Sequence, residues 1–369
     1  MKLVLAKPAM AAFEGDLASS KKVLGYVRDK FGIPPGEYSI SPNLGIDFGL
    51  QVIVRNKDLG NLSELEKTLV ANIGHIPLSV HAPYNYDDPK DWPSTDLTKG
   101  EQGVKNLRRV AEFSRNIGAL SIAVHPNAIR TKEELQNEGL YNPKIQRENL
   151  DRLFNNILEV NADYNGIIDL ENKPLPATTP DNERPIFTTL FHPLAHLREF
   201  AQRGGTITFD TCHYGITMRT INDLLGRFEE GVTDEVLRRE EMFGYFMKDY
   251  VRQPPISEAM LEVGEAIKHI HLNDGSIYRP NKETGFPDRE KPLPKVGGYQ
   301  LWWEAYVPGK GELCDTNCVL PWLRKHQAED RTVTLTLEVG EFDGNYDGSP
   351  RSKETFESVM NMLYDKFRT

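Results

Sequence analysis

Six ionisable residues in this 369-residue chain stand at the ends of apolar runs. His81 closes "LSVH", His125 closes "SIAVH" and Glu171 closes "GIIDLE". Asp210 closes "TITFD", His271 closes "HIH" and Glu338 closes "TVTLTLE". An ionisable group in such surroundings is costly to bury unless it is paired or bound to a metal. His213 follows Asp210 by three residues. The set offers imidazole and carboxylate but no thiolate, which suits a divalent ion such as Zn, Mn, Fe, Co or Mg. Glu171, Asp210, Glu338 and His271 could hold one ion and leave positions open for substrate oxygens. His81 and His125 could hold a second, with Glu171 as the bridge. Two ions ~4 Å apart can clamp both sides of a displacement, and one can orient a hydroxyl and a carbonyl for proton transfer. The expected cofactor is therefore a divalent metal ion (Mn, Zn, Co or Mg), one or two per chain.

Other chemistry-bearing residues read differently. In "KHIHLNDG", His269 and His271 share one strand face. His269 sits ~7 Å deeper along the strand, too far to share an ion easily. It reads as a core group that helps to orient the site. His75, His192, His196 and His326 fall in helical or turn contexts and read as surface or packing residues. Cys314 and Cys318 are four apart, which places them on one helix face, without the partner cysteines of a zinc site. Lys310, in "PGKG", either meets a substrate phosphate or carboxylate or sits in a surface turn; the turn is the preferred reading. Trp303, with Trp302 and Tyr306, either stacks on a sugar face or packs a lid.

The elements that must position these residues recur along the chain. Eight β-like runs cover 3–6, 50–55, 78–84, 121–127, 166–172, 206–214, 269–274 and 332–339, rich in Val, Ile, Leu and Thr. Helical periodicity lies between them, as in "VKNLRRVAEFSRNIGAL" and "QRENLDRLFNNILEV". Strands alternating with helices imply parallel β/α units. Eight such units predict a (β/α)8 TIM barrel with the active site at the strand C-terminal ends. An open doubly wound sheet usually carries a glycine-rich turn after its first strand, and "LVLAKPAMAAFEG" has none. The expected organisation is a single barrel domain over 1–369. Long loops after strands 6 and 7 (215–268 and 275–331) would form a lid or substrate wall. The stretch 31–49 fits no clean unit.

Composition narrows the function classes. The net charge of −10, from 44 basic and 54 acidic residues, argues against broad nucleic-acid binding. No run approaches the ~18 consecutive apolar residues of a membrane span. The apolar start is too short for a secretory signal, and three cysteines make no disulfide framework. A cytoplasmic protein acting on a small molecule is expected, and a homo-oligomer is compatible with it.

The pieces "HAPY" (81–84), "VHP" (124–126), "DLEN" (169–172), "FDTCH" (209–213), "HLND" (271–274), "PGKGEL" (308–313) and "LE" (337–338) resemble, in order and spacing, a known group. These are the xylose isomerase-like barrels, which include sugar isomerases, epimerases and endonuclease IV-type abasic-site nucleases. The resemblance implies a metal on Glu171, Asp210, His271 and Glu338. In the isomerase and epimerase branch, the equivalents of Glu171 and Glu338 also move the proton beside a carbonyl. In the nuclease branch, His81 and His125 bind a second zinc, and His213 joins an Asp-x-His pair around a third. Here "YQLWWEAYV" offers Glu304 and Tyr306 but no histidine for that pair. The expected function is thus a divalent-metal isomerase or epimerase acting on a sugar, sugar acid or sugar phosphate. The alternatives are a metal-dependent phosphodiesterase and a polyol dehydratase.

Overall fold

The computed structural model describes residues 1–10, 45–73, 75–83, 96–126, 129–130, 132–140, 142–175, 177–178, 185–188, 190–229, 251–281, 286–296, 299–315, 317–339 and 357–363, with a few more between 25 and 44 and Thr284. Eight parallel strands close on themselves. They are β1 (Lys2–Met10), β2 (Ile46–Ile53), β3 (Leu78–His81), β4 (Ile122–Val124), β5 (Ile168–Glu171), β6 (Thr206–Asp210), β7 (Ile267–Leu272) and β8 (Thr332–Leu337). Each strand pairs with the next, and β8 returns to β1 in the register Leu3↔Val333. The fold is the (β/α)8 barrel that the alternation of runs predicts. Part of the irregular 31–49 stretch is explained as well, since Ser39–Ser41 runs antiparallel to β2.

The strands carry a two-residue period that their apolar content partly hides. Ile122, Ile168, Leu170, Ile207, Phe209, Ile270, Val333 and Leu335 belong to the buried apolar cluster shared with the helices. Alternate positions are polar and also buried: Gln51, Ser79, His81, Asp169, Glu171, Thr208, Asp210, His269, His271, Thr334 and Thr336. Side chains at i and i+2 share a face, so the inside of this barrel is a polar column. Buried polar groups demand partners, and around His269 the column supplies them across the barrel. Ser121 Oγ lies 3.1 Å from His269 Nδ1, and His269 Nε2 lies 2.7 Å from Thr336 Oγ1.

The outer helices are α1 (Leu62–Ile73), α2 (Gln102–Asn116), α3 (Pro143–Asp163), α4 (Leu194–Gln202), α5 (Thr211–Glu229), α6 (Ile256–Val263) and α7 (Leu320–His326). Each turns an apolar stripe inward; on α2 it includes Leu107, Val110, Ala111 and Phe113. Asn142 caps α3 by accepting from Lys144 N–H, and Pro143 follows at the first helical position. Residues 357–363 form a further helical segment. Among the described residues no helix is long and apolar enough to cross a membrane.

The two long connections are partly regular. The first 15 residues of 215–268 continue α5, and α6 lies at its other end, while 231–250 lies outside the described residues. After β7 the chain folds into short antiparallel pairs: Asp274–Ser276 with Trp303–Tyr306, Tyr278–Pro280 with Pro287–Pro292, and Lys295–Val296 with Tyr299–Gln300. Cys314 and Cys318 are not on one helix, as their spacing suggested. They are disulfide-bonded across turns that precede α7, with a Cα–Cα separation of 6.3 Å. His192, His196 and His326 are buried, as packing residues should be, and His75 is exposed.

The seam between β1 and β2 is tight at Gly49. A Cβ there would lie 2.9 Å from the Pro77 carbonyl oxygen and would collide with Val4. That carbonyl is held in place by the Leu50 N–H at 3.0 Å. Gly49→Ala should therefore destabilise the barrel by ~1–3 kcal/mol through overpacking. An unchanged urea unfolding midpoint would contradict this.

Candidate metal centre and active site

The C-terminal ends of β3, β5, β6, β7 and β8 converge. Glu171, Asp210, His271 and Glu338 each offer a ligand atom, and these atoms lie within 4.8 Å of one another. His271 Nδ1 is the hub. It lies 3.4 Å from Glu171 Oε2, 3.2 Å from Glu338 Oε2 and 3.8 Å from Asp210 Oδ2. Glu171, Asp210 and His271 have no exposed side-chain surface, while Glu338 is 17% exposed. His81 forms a second such group with Glu171 and His271. Its Nδ1 donates to the Ala82 carbonyl at 2.7 Å, which turns Nε2 toward Glu171 Oε2 at 3.3 Å.

On the far side of Glu171, Oε1 meets His125 Nε2 at 3.0 Å and His213 Nδ1 at 3.1 Å. The arm after β7 brings Glu304 Oε2 to 3.3 Å from His213 Nε2. Into this group comes Lys173, buried, with Nζ 3.3 Å from His125 Nε2 and 3.4 Å from His213 Nε2.

Asparagines fix the carboxylates. Asn172 clamps the backbone of Asp210: its Nδ2 donates to the Asp210 carbonyl at 3.0 Å, and its Oδ1 accepts the Asp210 N–H at 2.8 Å. Asn273 Nδ2 donates to Asp210 Oδ2 at 3.1 Å and Glu338 Oε2 at 3.3 Å. The His213 N–H donates to Asp210 Oδ1 at 2.6 Å. Asp274 organises the "PGKGEL" loop. Its carboxylate accepts from the backbone N–H groups of Gly275, Gly309, Gly311, Leu313 and Cys314 at 2.7–3.2 Å. Gly311 packs so closely that a Cβ would lie 2.8 Å from Asp274 Oδ1.

The residues fit a divalent ion. Both Glu171 carboxylate oxygens and His271 Nδ1 are buried without a hydrogen bond of acceptable geometry, although each faces other ligand atoms. Such unbonded polar atoms need explaining, and a cation among them explains them. The electrostatics agree. Burial, with Glu338 and Glu171 adding to it, pushes the Asp210 carboxyl up to about 7. Burial opposes ionisation of Glu171 and Glu338 too, but the imidazoles beside them prevail. Glu171 is held well below its usual range by His125 and His271, and Glu338 is held at about 2 by His271. Burial disfavours charge on His271 as well, but the two glutamates raise it well above the usual imidazole range. Without an ion, protons balance the buried charge.

The pattern of the xylose isomerase-like TIM barrel family matches residues 47–363. The chain belongs to this family. Among curated proteins no sequence relative is found. Among solved structures, the xylose isomerase-like barrel of this chain is similar to endonuclease IV from Thermus thermophilus (14% identity, TM-score 0.45, over 99% of this chain and 100% of that one). It is similar to the 3-keto-D-glucoside 4-epimerase YcjR from E. coli (14% identity, TM-score 0.47, 98% and 99%). It is also similar to a D-allulose 3-epimerase from Methylomonas sp. (10% identity, TM-score 0.49, 99% and 98%).

In this family member, Glu171, Asp210, His271, Glu338 and His81 come together, and His125 and His213 adjoin them through Glu171. His269 lies below, between Ser121 and Thr336. Lys310 is exposed on its turn with Nζ 5.1 Å from the Phe286 ring centroid. Trp303 is half-buried on the arm opposite Ser276. Sequence reasoning missed Gln51 and Lys173. The one signal for Lys173 is its place two residues after Glu171, at a strand end. An ion on the four-residue group must displace the proton of Asp210 and that of His271. Apparent metal affinity should thus fall as pH drops, by at least about tenfold per unit below pH 7 for one proton displaced. Competition against a chromophoric chelator between pH 6 and 8 checks this, and a flat profile would contradict it.

Proposed function

We propose that this protein is a single-metal isomerase or epimerase acting on a sugar, sugar acid or sugar phosphate in the cytoplasm. The observation that carries the reading is the buried Lys173 amine, whose Nζ lies 3.3 Å from His125 Nε2 and 3.4 Å from His213 Nε2. As an ammonium, that group would repel a second divalent ion on His125, whether the ion is shared with His81 through Glu171 or with His213. At ~4 Å and an effective dielectric of ~20 the repulsion is about 8 kcal/mol. The arrangement favours one ion with a fixed organic cation beside it, over the multi-ion clamp of a phosphodiesterase.

Glu171, Asp210, His271 and Glu338 would hold the ion, which is Mn, Zn, Co or Mg in this reading. When bound, it polarises a substrate carbonyl and acidifies the neighbouring C–H. The chain's own groups do the rest. Glu171 and Glu338 approach His271 Nδ1 as two separate carboxylates. One removes the proton from carbon and the other returns it, which inverts the centre or moves the carbonyl. Glu338, the more exposed, faces incoming substrate. The Lys173 ammonium donates to a substrate oxygen as negative charge develops on it, and His213, itself held by Glu304, flanks that oxygen. Asn172 and Asn273 keep Asp210 and Glu338 from turning away.

Proton abstraction from carbon leaves a direct trace. In D2O, metal-loaded protein should wash deuterium into the carbon beside the carbonyl of a keto- or aldo-sugar substrate, read by proton NMR across a panel. Glu338→Gln should cut that exchange by ~10²–10⁴ while circular dichroism stays unchanged. Full exchange in that variant would remove Glu338 from its role. Nicking of an abasic DNA duplex without any exchange would favour the phosphodiesterase instead.

Elemental analysis gives a second check. The protein should carry one divalent ion per chain, and two or three would overturn the single-metal reading.

A further inference from the structure

Gln51 lies at the middle of the polar column, on β2, fully buried. It reaches across the barrel to β7, where its side-chain amide nitrogen is 2.7 Å from His271 Nε2. The ring's other nitrogen, Nδ1, is the one that faces Glu171, Glu338 and Asp210. His271 therefore has one nitrogen for the carboxylate cluster and one for Gln51.

We propose that Gln51 is the positioning residue that fixes the His271 tautomer able to bind the metal. The inference rests on the reading of the cluster as a metal centre. A neutral imidazole carries one proton. To give a lone pair from Nδ1, His271 must carry that proton on Nε2, and Nε2–H needs an acceptor. Gln51 Oε1 is buried and makes no hydrogen bond in this orientation of the amide. Turning the amide by ~180° about its last bond brings this oxygen to the ring nitrogen, at almost no steric cost because the two amide atoms are nearly the same size. Nε2–H then donates to Oε1, and Nδ1 is left as an acceptor aimed at the carboxylates. The opposite arrangement, with the amide N–H donating to Nε2, puts the proton on Nδ1 and closes the ring to a metal. Gln51 thus acts as a selector. His81 achieves the same end by donating Nδ1–H to the Ala82 carbonyl. His271 sits mid-barrel and has a glutamine in that place.

The test compares three proteins: wild type, Gln51→Glu, whose carboxylate can accept from Nε2–H, and Gln51→Leu, which cannot. Zn²⁺ affinity is measured by chelator competition, and the His271 ring nitrogens are assigned by 15N NMR in the zinc-loaded state. Wild type and Gln51→Glu should bind Zn²⁺ with similar affinity and show a protonated Nε2. Gln51→Leu should bind ~10–100-fold more weakly. A merely structural role for Gln51 would lower the melting temperature of both variants without separating their zinc affinities. Equal affinity for wild type and Gln51→Leu, or a wild-type Nδ1–H in the zinc-loaded protein, would overturn the proposal and leave the metal centre standing. A wild type that takes up no Zn²⁺ would overturn both.

Discussion

Three carboxylates, Glu171, Asp210 and Glu338, are brought to one end of a closed barrel, where their ligand oxygens and His271 lie within 4.8 Å of one another. Removing each ionised carboxylate from water costs several kcal/mol unless opposite charge offsets it. Without an ion, protons provide the offset: Asp210 is pushed up to about 7 and His271 is held charged. A divalent cation balances the same charge more directly. The rest of the interior follows from this constraint. Gln51 meets the ring, Asn273 donates to the carboxylates and Asn172 holds the Asp210 backbone, while His269, Ser121 and Thr336 satisfy one another beneath them.

A closed parallel sheet makes this arrangement feasible. Strands distant in sequence end at one mouth, so five of them supply ligand-capable groups without any local motif. The helices take the apolar face of each strand, which frees the inner face for polar work. The arm after β7 then brings Glu304 to the open side, while Asp274 fixes the neighbouring "PGKGEL" loop through five backbone N–H groups. That loop places Lys310 at the surface, over Phe286.

Much of this was legible in the sequence because each ionisable residue interrupts an apolar run at the same point of its β/α unit. Eight runs announced eight strands, and Glu171, Asp210, His271 and Glu338 stood where the barrel would gather them. Gln51 was illegible for a physical reason. In "LQVIV" it is one polar residue in a strand, and its partner His271 is 220 positions away. Lys173 was hidden by position, since a lysine just beyond a strand end reads as a solvated loop residue and only the closed fold buries it. Cys314 and Cys318 misled in the other direction. Four-residue spacing fits a helix face, but the chain there turns before α7 begins.

The central claim is that one divalent cation balances the buried carboxylates on the β8 side of Glu171, while Lys173 takes the other side. Anomalous diffraction from crystals of the protein loaded with Mn²⁺ or Zn²⁺ tests it most directly. The account predicts a single anomalous peak within bonding distance of Glu171, Asp210, His271 and Glu338, with the Lys173 ammonium between His125 and His213. No peak within that group, or a peak bound by His125 and His213 with Lys173 displaced, would contradict it.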